Sequence, residues 1–165
     1  MVLRLLRDLD LALLRLLRTR GHAPVVERAV LTYSRTGEHA ALWHGLAALG
    51  WLLDSRRRPL YARTLRAVVL TQAANSAAKL FIRRARPLLE DLPPLMPTMT
   101  TLSYPSAHAS TSFAGARSLA RVWPPAPLYV AAGAMALSRP YLGVHYPSDV
   151  LAGGLLGAAV AELTP

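Results

Sequence analysis

The chain has 165 residues, a length that allows one domain and leaves no room for a second independent core. Its residues are 53% hydrophobic, with a formal net charge of +10 and one lysine among 19 basic residues. The hydrophobic residues form blocks with charges between them, which is typical of a small multi-helix membrane protein. The absence of cysteine excludes disulfides and thiolate metal sites. Arginines scattered between apolar segments, with only 7% aromatic residues, argue against nucleic-acid binding and favour anionic lipid headgroups.

The first 20 residues are predicted to form an amphipathic helix. A cleavable signal peptide is not indicated, because the segment lacks both an uninterrupted apolar centre and a small-residue cleavage site. We expect the helix to lie in the membrane surface, and an ordinary helix that packs on protein is the alternative. The leucines at helical spacing are Leu3, Leu6, Leu9, Leu13, Leu16 and Leu17, with Arg4, Arg7, Asp8, Arg15 and Arg18 at other positions.

Five further helical segments are predicted, giving an all-α polytopic membrane bundle of about five spans in one domain, 1–165. Their apolar stretches are shorter than the roughly 20 residues of a lone span, so the helices must extend past their apolar centres. Residues 87–105 contain five prolines and are predicted to be a loop. The predicted helices are 38–54, 61–82, 106–122, one that follows Pro127 and ends near Arg139, and one that begins at Pro147.

The order of these hairpins brings four helix ends to one membrane face. The second span ends at Lys79, the third begins at Ser106, the fourth ends at Arg139 and the last begins at Pro147. The count of basic residues favours the cytoplasmic side of the plasma membrane for this face. The last helix also carries a glycine-rich stretch, 153–157, which suits close helix packing and is a candidate contact between copies.

The first of three motifs begins at Lys79 and ends at Arg86-Pro87. Lys79, Arg83 and Arg86 lie at spacings of four and three, so they share one side of a helix if it continues to the proline. Several charge-assisted donors of this kind suit a phosphoryl group. The alternative is a row of cations that snorkel at a membrane edge, and Arg84 is assigned to that role.

The second motif is Pro105-Ser106-Ala107-His108 at the start of a predicted helix. Ser106 is a suitable N-cap, and the unpaired amides of the first turn favour an anion above the helix end. His108 lies in that turn, near enough to give a proton to a leaving oxygen. A surface histidine or a cap is the alternative for His108 taken alone.

The third motif joins Ser138-Arg139 to His145 and Asp149, with His145 in a short turn and Asp149 in the first turn of the last helix. Asp149 follows His145 by four residues and is positioned to accept a hydrogen bond from one imidazole nitrogen. The other nitrogen then stays free to attack phosphorus. A carboxylate that favours the helix dipole is the simpler interpretation of Asp149.

In this order and spacing the motifs resemble the signature of the type-2 phosphatidic-acid phosphatase family, which includes lipid phosphatases and vanadium haloperoxidases. That signature is Lys-x6-Arg-Pro, then Pro-Ser-Gly-His, then Ser-Arg-x5-His-x3-Asp. The match covers residues 79–149, and Ala107 replaces the glycine of the second motif. The methyl group of Ala107 is expected to affect the fit of the substrate more than the chemical step.

The resemblance implies a role for each residue. Lys79, Arg86 and Arg139 would hold the phosphate oxygens, with help from Ser106 and from amides near Ala107. His145 would be the nucleophile and form a phosphohistidine, and Asp149 would orient it. His108 would protonate the leaving group and then activate water. The fixed cations stabilise the transition state, so neither a metal nor another cofactor is expected.

A site at a membrane face suits a lipid phosphate whose tail stays in the bilayer. Candidates are phosphatidic acid, phosphatidylglycerol phosphate, and polyprenyl phosphates or diphosphates. The small size, arginine content and N-terminal helix are similar to actinobacterial family members that remove the 5-phosphate of decaprenylphosphoryl-5-phosphoribose in arabinan synthesis. We expect this substrate. Alternatives are a haloperoxidase, a phosphatase for soluble esters and a non-catalytic lipid-binding protein, the first disfavoured by the short apolar chain.

Other residues near the motifs have less specific signals. Glu38, His39 and His44 begin the first predicted span and are candidates for contact with a headgroup. The three tryptophans are predicted to be interfacial anchors; they are Trp43, Trp51 and Trp123.

Overall fold

The computed structural model describes residues 2–165 as seven α-helices without a β-strand. The all-α class and all six predicted helices are confirmed. The second helix is not predicted, because its sequence mixes charged and apolar residues and contains no long apolar block. The helices are α1 (Val2–Thr19), α2 (Pro24–Thr36), α3 (Ala41–Leu53), α4 (Arg58–Ile82), α5 (Ala107–Leu119), α6 (Pro125–Tyr141) and α7 (Pro147–Leu163), with 3₁₀ turns at Glu38–Ala40 and Ser55–Arg57.

Helix α5 lies at the centre of the bundle, and α3, α4, α6 and α7 pack around it. Most of its side chains are small and buried, including those of Ser110, Ser112 and Ala114, so neighbouring backbones approach it closely. The indole of Trp43 is fully buried and donates to Ser112 Oγ at 2.8 Å. Trp43 is therefore a core residue, and its prediction as an interfacial anchor is wrong.

The glycines of α7 face α5 of the same chain. A Cβ built on Gly153 would lie 2.6 Å from the carbonyl oxygen of Ser106, and one on Gly157 would collide with the backbone of Ser110. These glycines thus pack closely against a helix of the same chain. A contact between copies through the same stretch remains a prediction.

Helix α1 packs on the bundle with a polar side and presents leucines outward. Asp10, Leu14 and Arg18 are buried, one turn apart from each other. Arg18 is therefore not a solvent-facing residue: its guanidinium donates to the Pro93 carbonyl at 2.7 Å. The exposed stripe on the other side consists of Leu5, Leu6, Leu9, Leu13 and Leu16.

Helix α4 ends at Ile82, earlier than the first motif requires for a continuous helix. Arg83 follows with φ of 52°, and the next residues run in an extended conformation beside 101–103. Lys79, Arg83 and Arg86 consequently do not share a helix side, which corrects the prediction. Lys79 remains on the helix, and Arg86 approaches the same region from the extended segment.

No helix among residues 2–165 has the combination of length and hydrophobicity required to cross a membrane.

Candidate active site

A cavity of about 550 Å³ lies at the end of the bundle where α4 and α6 end and α5 and α7 begin. All three sequence motifs contribute to its wall. The predicted site residues that line it are Lys79, Arg86, Ala107, His108, Arg139 and His145, while Ser106 and Asp149 lie behind the wall.

Two of the cations are held by backbone carbonyls of the 83–106 loop. Lys79 Nζ donates to the carbonyls of Leu102 and Ser103, both at 3.3 Å. Arg86 Nε donates to the carbonyl of Thr100 at 2.8 Å. These bonds fix the two side chains in the cavity wall before any anion binds, so little reorganisation is needed to receive a phosphate.

The third cation, Arg139, reaches the cavity from the end of α6 and is held by the unpredicted helix α2. Its guanidinium donates to the hydroxyl of Ser34, which is completely buried. Arg139 Nε is buried without a hydrogen-bond partner among the described residues, which leaves one donor unused by the protein. A phosphate oxygen in the cavity is a suitable acceptor for such a donor.

We expect Ser34→Ala to raise the KM for a phosphate ester about 3- to 10-fold, because Arg139 loses the hydrogen bond that orients it, worth about 1 kcal/mol. The effect on kcat should be smaller. Steady-state kinetics measures both constants. Ser118→Ala is the matched control, since Ser118 is equally buried but its hydroxyl has no partner. An unchanged KM in Ser34→Ala would show that Arg139 does not depend on α2.

His145 is placed with its two ring nitrogens in different environments. Nε2 lies 3.1 Å from Arg86 Nη1, on the side of the cations, and Nδ1 lies 3.5 Å from Asp149 Oδ2. The second distance is slightly longer than a hydrogen bond, and a small tilt of the ring would close it. Burial, together with the positive charges of Arg86 and Arg139, lowers the pKa of His145 to about 3, while Asp149 acts in the opposite direction. The imidazole is therefore neutral at physiological pH, as a nucleophile must be.

Asp149 is a fully buried carboxylate with both oxygens engaged. Oδ2 accepts the amide of Tyr146 at 2.9 Å, and this bond closes the first turn of α7. Oδ1 accepts Arg84 Nη1 at 2.8 Å. Arg84 is thus a partner of the site carboxylate, and its assignment to a membrane-edge row of cations is wrong.

His108 occupies the first turn of α5 and lines the cavity with Nε2 buried and without a partner among residues 2–165. The end of α2 packs directly against it. A Cβ at Gly37 would lie 2.6 Å from Cδ2 of His108, so only glycine allows this approach. The arrangement holds the imidazole in place while one nitrogen remains available for proton transfer.

Ser106 is the N-cap of α5, as predicted, but it does not reach the cavity in which the prediction gave it a phosphate contact. It is completely buried and does not line the cavity, and its Oγ lies 3.5 Å from the amide of Ala109 as an N-cap of α5. Its own amide donates to the carbonyl of Asp149 at 2.9 Å. Ser106 therefore joins the starts of α5 and α7, whereas Ala107 is the residue of this motif whose small side chain faces the cavity beside His108.

Sequence reasoning missed part of the cavity wall. Gln72, Asn75 and Ser76 precede Lys79 by one to two helical turns, and that spacing was a usable signal. The loop residues 96–100, Gly37 and Ala40 had no comparable signal. Glu38 and His39 do line the cavity, and His44 does not. Among residues 2–165 no group of three or more histidine, aspartate or glutamate side chains is arranged to hold a metal ion.

Two histidines, a buried carboxylate and three cations around one cavity define a phosphatase-type site on an all-α bundle. The family model described as "PAP2 superfamily" matches residues 60–165, and the chain belongs to this superfamily. The resemblance drawn from the three motifs is confirmed.

Three relatives that this chain is similar to are phosphatases by name. The decaprenylphosphoryl-5-phosphoribose phosphatase of Mycolicibacterium smegmatis is 40% identical over 79% of this chain and 72% of its own length. The Mycobacterium tuberculosis protein of the same name is 39% identical over 79% and 73%. An undecaprenyl-diphosphatase of Sulfolobus acidocaldarius is 31% identical over 74% and 62%.

Two solved structures share the fold. Aquifex aeolicus LpxE superposes with a TM-score of 0.82 at 25% identity, covering 94% of both chains. A transmembrane phosphatidylglycerolphosphate phosphatase of the PAP2 type from Bacillus subtilis gives a TM-score of 0.78 at 23% identity, covering 96% of this chain and 84% of its own. The second likeness shows the fold alone.

Proposed function

We propose that this chain is a membrane lipid phosphatase that hydrolyses a phosphomonoester through a phosphohistidine intermediate. The observation that carries the proposal is the environment of His145. Its Nε2 faces Arg86 at 3.1 Å in a cavity lined by three cations, while its Nδ1 is backed by the buried carboxylate of Asp149 at 3.5 Å. A neutral imidazole in this setting is a nucleophile aimed at an anion.

The reaction then has two steps. With the phosphate oxygens held by Lys79, Arg86 and Arg139, Nε2 of His145 attacks phosphorus and the ester P–O bond breaks. The bound anionic phosphate favours the protonated form of His108, which gives its proton to the departing oxygen and becomes neutral, while Asp149 stabilises the positive imidazole of His145. In the second step His108 takes a proton from water, whose oxygen attacks phosphorus, and the P–N bond breaks to release phosphate. The chain's own cations neutralise the charge that develops in both steps.

A bilayer as the environment is supported by the distribution of side chains over the bundle. Helix α5 at the centre of the bundle carries mostly small and polar side chains, whereas many large apolar side chains point outward from the other helices. That arrangement suits lipid outside and close helix packing inside. The exposed residues include Leu52, Leu53, Val69, Leu70, Leu80, Phe81, Val130, Leu137, Leu151 and Leu155. We propose that the chain is a multi-pass protein of the plasma membrane. Helix α1 then lies at the membrane face that carries the cavity, and this face is on the cytoplasmic side.

The substrate that we propose is decaprenylphosphoryl-5-phosphoribose, with the 5-phosphate as the group removed. Support comes from the two mycobacterial relatives at 39–40% identity. The cavity also provides polar side chains beyond the cations, among them Gln72, Ser76 and Glu38, which suit the hydroxyl groups of a sugar. The relative named undecaprenyl-diphosphatase favours a polyprenyl diphosphate as the alternative substrate.

The test is phosphate release from a panel of lipids in mixed micelles: decaprenylphosphoryl-5-phosphoribose, a polyprenyl diphosphate, phosphatidic acid and phosphatidylglycerol phosphate. We expect the first to give the highest kcat/KM, and activity to persist in excess chelator. A higher kcat/KM for the polyprenyl diphosphate would contradict the proposed substrate and identify the diphosphate instead. Loss of activity with chelator would contradict the metal-free mechanism. Binding of all four lipids without phosphate release would instead indicate a non-catalytic lipid-binding protein.

A further inference from the structure

Arg84 lies at a variable position of the first motif, between Lys79 and Arg86, and does not line the cavity. It is nevertheless central to the polar contacts behind the cavity wall. Its Nη1 donates to Asp149 Oδ1 at 2.8 Å and to the hydroxyl of Ser148 at 2.7 Å. Its Nη2 donates to Asp10 Oδ2 at 2.8 Å. One guanidinium thus joins the carboxylate behind His145 to a carboxylate of α1.

Asp10 is anchored independently of Arg84. Its Oδ1 accepts the amide of Ser148 at 2.9 Å, and its Oδ2 accepts the Ser148 hydroxyl. Asp10 is 6% exposed, although it lies on a helix whose other side presents leucines outward. The N-terminal helix is therefore attached to the first turn of α7, which is the turn that carries Asp149.

The guanidinium of Arg84 has little freedom to leave this position. It lies over the ring of Tyr146, 3.9 Å from the centroid, and the Arg84 carbonyl accepts the amide of Ser103 at 2.8 Å. The two ends of the residue are thus fixed by the turn before α7 and by the loop before α5. Such fixation is expected of a residue that orients another group rather than of a cation at a membrane edge.

Arg84 also balances a charge that would otherwise be costly. Asp149 is completely buried, and among residues 2–165 its only other bonded donor is the Tyr146 amide, on the oxygen that faces His145. Without Arg84, the buried carboxylate would lose its cation and the bond that sets its rotation. Its Oδ2 would then be held toward Nδ1 of the imidazole by the Tyr146 amide alone.

We propose that Arg84 is a positioning residue for the Asp149–His145 pair, and that Asp10 makes the N-terminal helix part of the catalytic framework. The inference rests on the proposed function and deepens it: turnover requires α1 to be seated on the bundle through Asp10. Binding of the phosphate does not depend on this link, because the three cations that line the cavity have other anchors.

The neighbouring arginine supplies a matched control. Arg83 and Arg84 are adjacent, but the Arg83 side chain is exposed and makes no hydrogen bond to the described residues. Arg83→Gln and Arg84→Gln remove the same charge from the same segment. We expect Arg84→Gln to lower kcat about 10- to 100-fold, the range for a small misplacement of a reacting group, and Arg83→Gln to leave kcat unchanged. Arg84→Lys should recover part of the loss.

A structural role and a positioning role differ in what else changes. For positioning, KM and the inhibition constant of inorganic phosphate stay near the wild-type values in Arg84→Gln, while loss of the buried ion pair lowers the thermal unfolding temperature in detergent. The rate of phosphohistidine formation in a single turnover falls with kcat. Equal kcat in the two glutamine variants would overturn the proposal, and so would a kcat loss matched by an equal weakening of phosphate binding.

The contribution of α1 is tested with Asp10→Asn. We expect a kcat loss similar to that of Arg84→Gln, and little further loss in the double variant, because both changes break one chain of contacts. Asp91→Asn is the control, since it breaks the exposed ion pair of α1 through Arg15 and should leave kcat unchanged. Additive losses would contradict the link. Absence of phosphate release by the wild-type protein would contradict the proposed function itself, whereas an active wild type with unaffected Arg84→Gln would contradict only this inference.

Discussion

His145→Ala is expected to reduce phosphate release by about 10⁵-fold or more, the scale seen when a covalent hydrolase loses its nucleophile. Of the other histidines that line the cavity among residues 2–165, His108 is placed for proton transfer and His39 belongs to the turn before α3, so neither is expected to replace it. His145 is 2% exposed, so an alanine leaves a void. His145→Gln keeps more of the volume and should be equally inactive, and a normal unfolding temperature in that variant separates chemistry from folding.

The intermediate provides a second measurement. Wild-type protein quenched during turnover of a ³²P-labelled substrate should carry acid-labile, base-stable label, as expected for a phosphoramidate, and both His145 variants should carry none. His44→Ala is the matched control, because His44 lies on α3 outside the cavity. Full activity in His145→Ala, or label that persists in it, would contradict the assignment of the nucleophile.

His108→Gln is expected to lower kcat for a lipid phosphate by about 10²- to 10⁴-fold, the range for loss of a general acid–base group. The side chain participates twice, first as the acid for the leaving oxygen and then as the base for water. The loss caused by missing acid catalysis depends on the leaving group. An aryl oxide departs without being protonated, whereas an alkoxide needs a proton from His108.

An aryl phosphate therefore separates the two roles. With this substrate, His108→Gln should show a rapid burst of product followed by slow turnover, and phosphohistidine should accumulate. With the lipid substrate the burst should be absent, because formation of the intermediate is slow as well. Equal losses in the first step for both substrates would show that His108 positions the phosphate and does not protonate the leaving group.

Some residues of the site are close to each other in the sequence, whereas others come together only across the bundle. His145 and Asp149 are four residues apart on either side of a helix start, so their proximity follows from local geometry. Ser106 and His108 likewise belong to one helix start. For such residues the chain's own covalent geometry fixes the relation, and the spacing in the sequence is sufficient to predict it.

Contacts between side chains on different helices and loops were predicted less completely. The helix order was enough to bring Lys79 and Arg139 to one end of the bundle, as the structure confirms. It gave no indication that Ser34 would hold Arg139, or that Arg84 would turn toward Asp10 and Asp149. Arg83 and Arg84 are adjacent arginines whose side chains have different surroundings. The difference arises because α4 ends at Ile82 and Arg83 has a left-handed backbone conformation, which redirects the chain before Arg84.

The sequence alone determined the family, the all-α class and the motif residues that line the cavity, because each motif is a short segment with its own helix boundary. Only the tertiary structure decided which of two neighbouring arginines faces the carboxylate, and that the polar side of α1 is buried against α7. These are contacts between segments 65 to 138 residues apart in the chain. No local propensity encodes such pairs, since they form only when packing removes water from both partners and leaves each as the other's available hydrogen-bond partner.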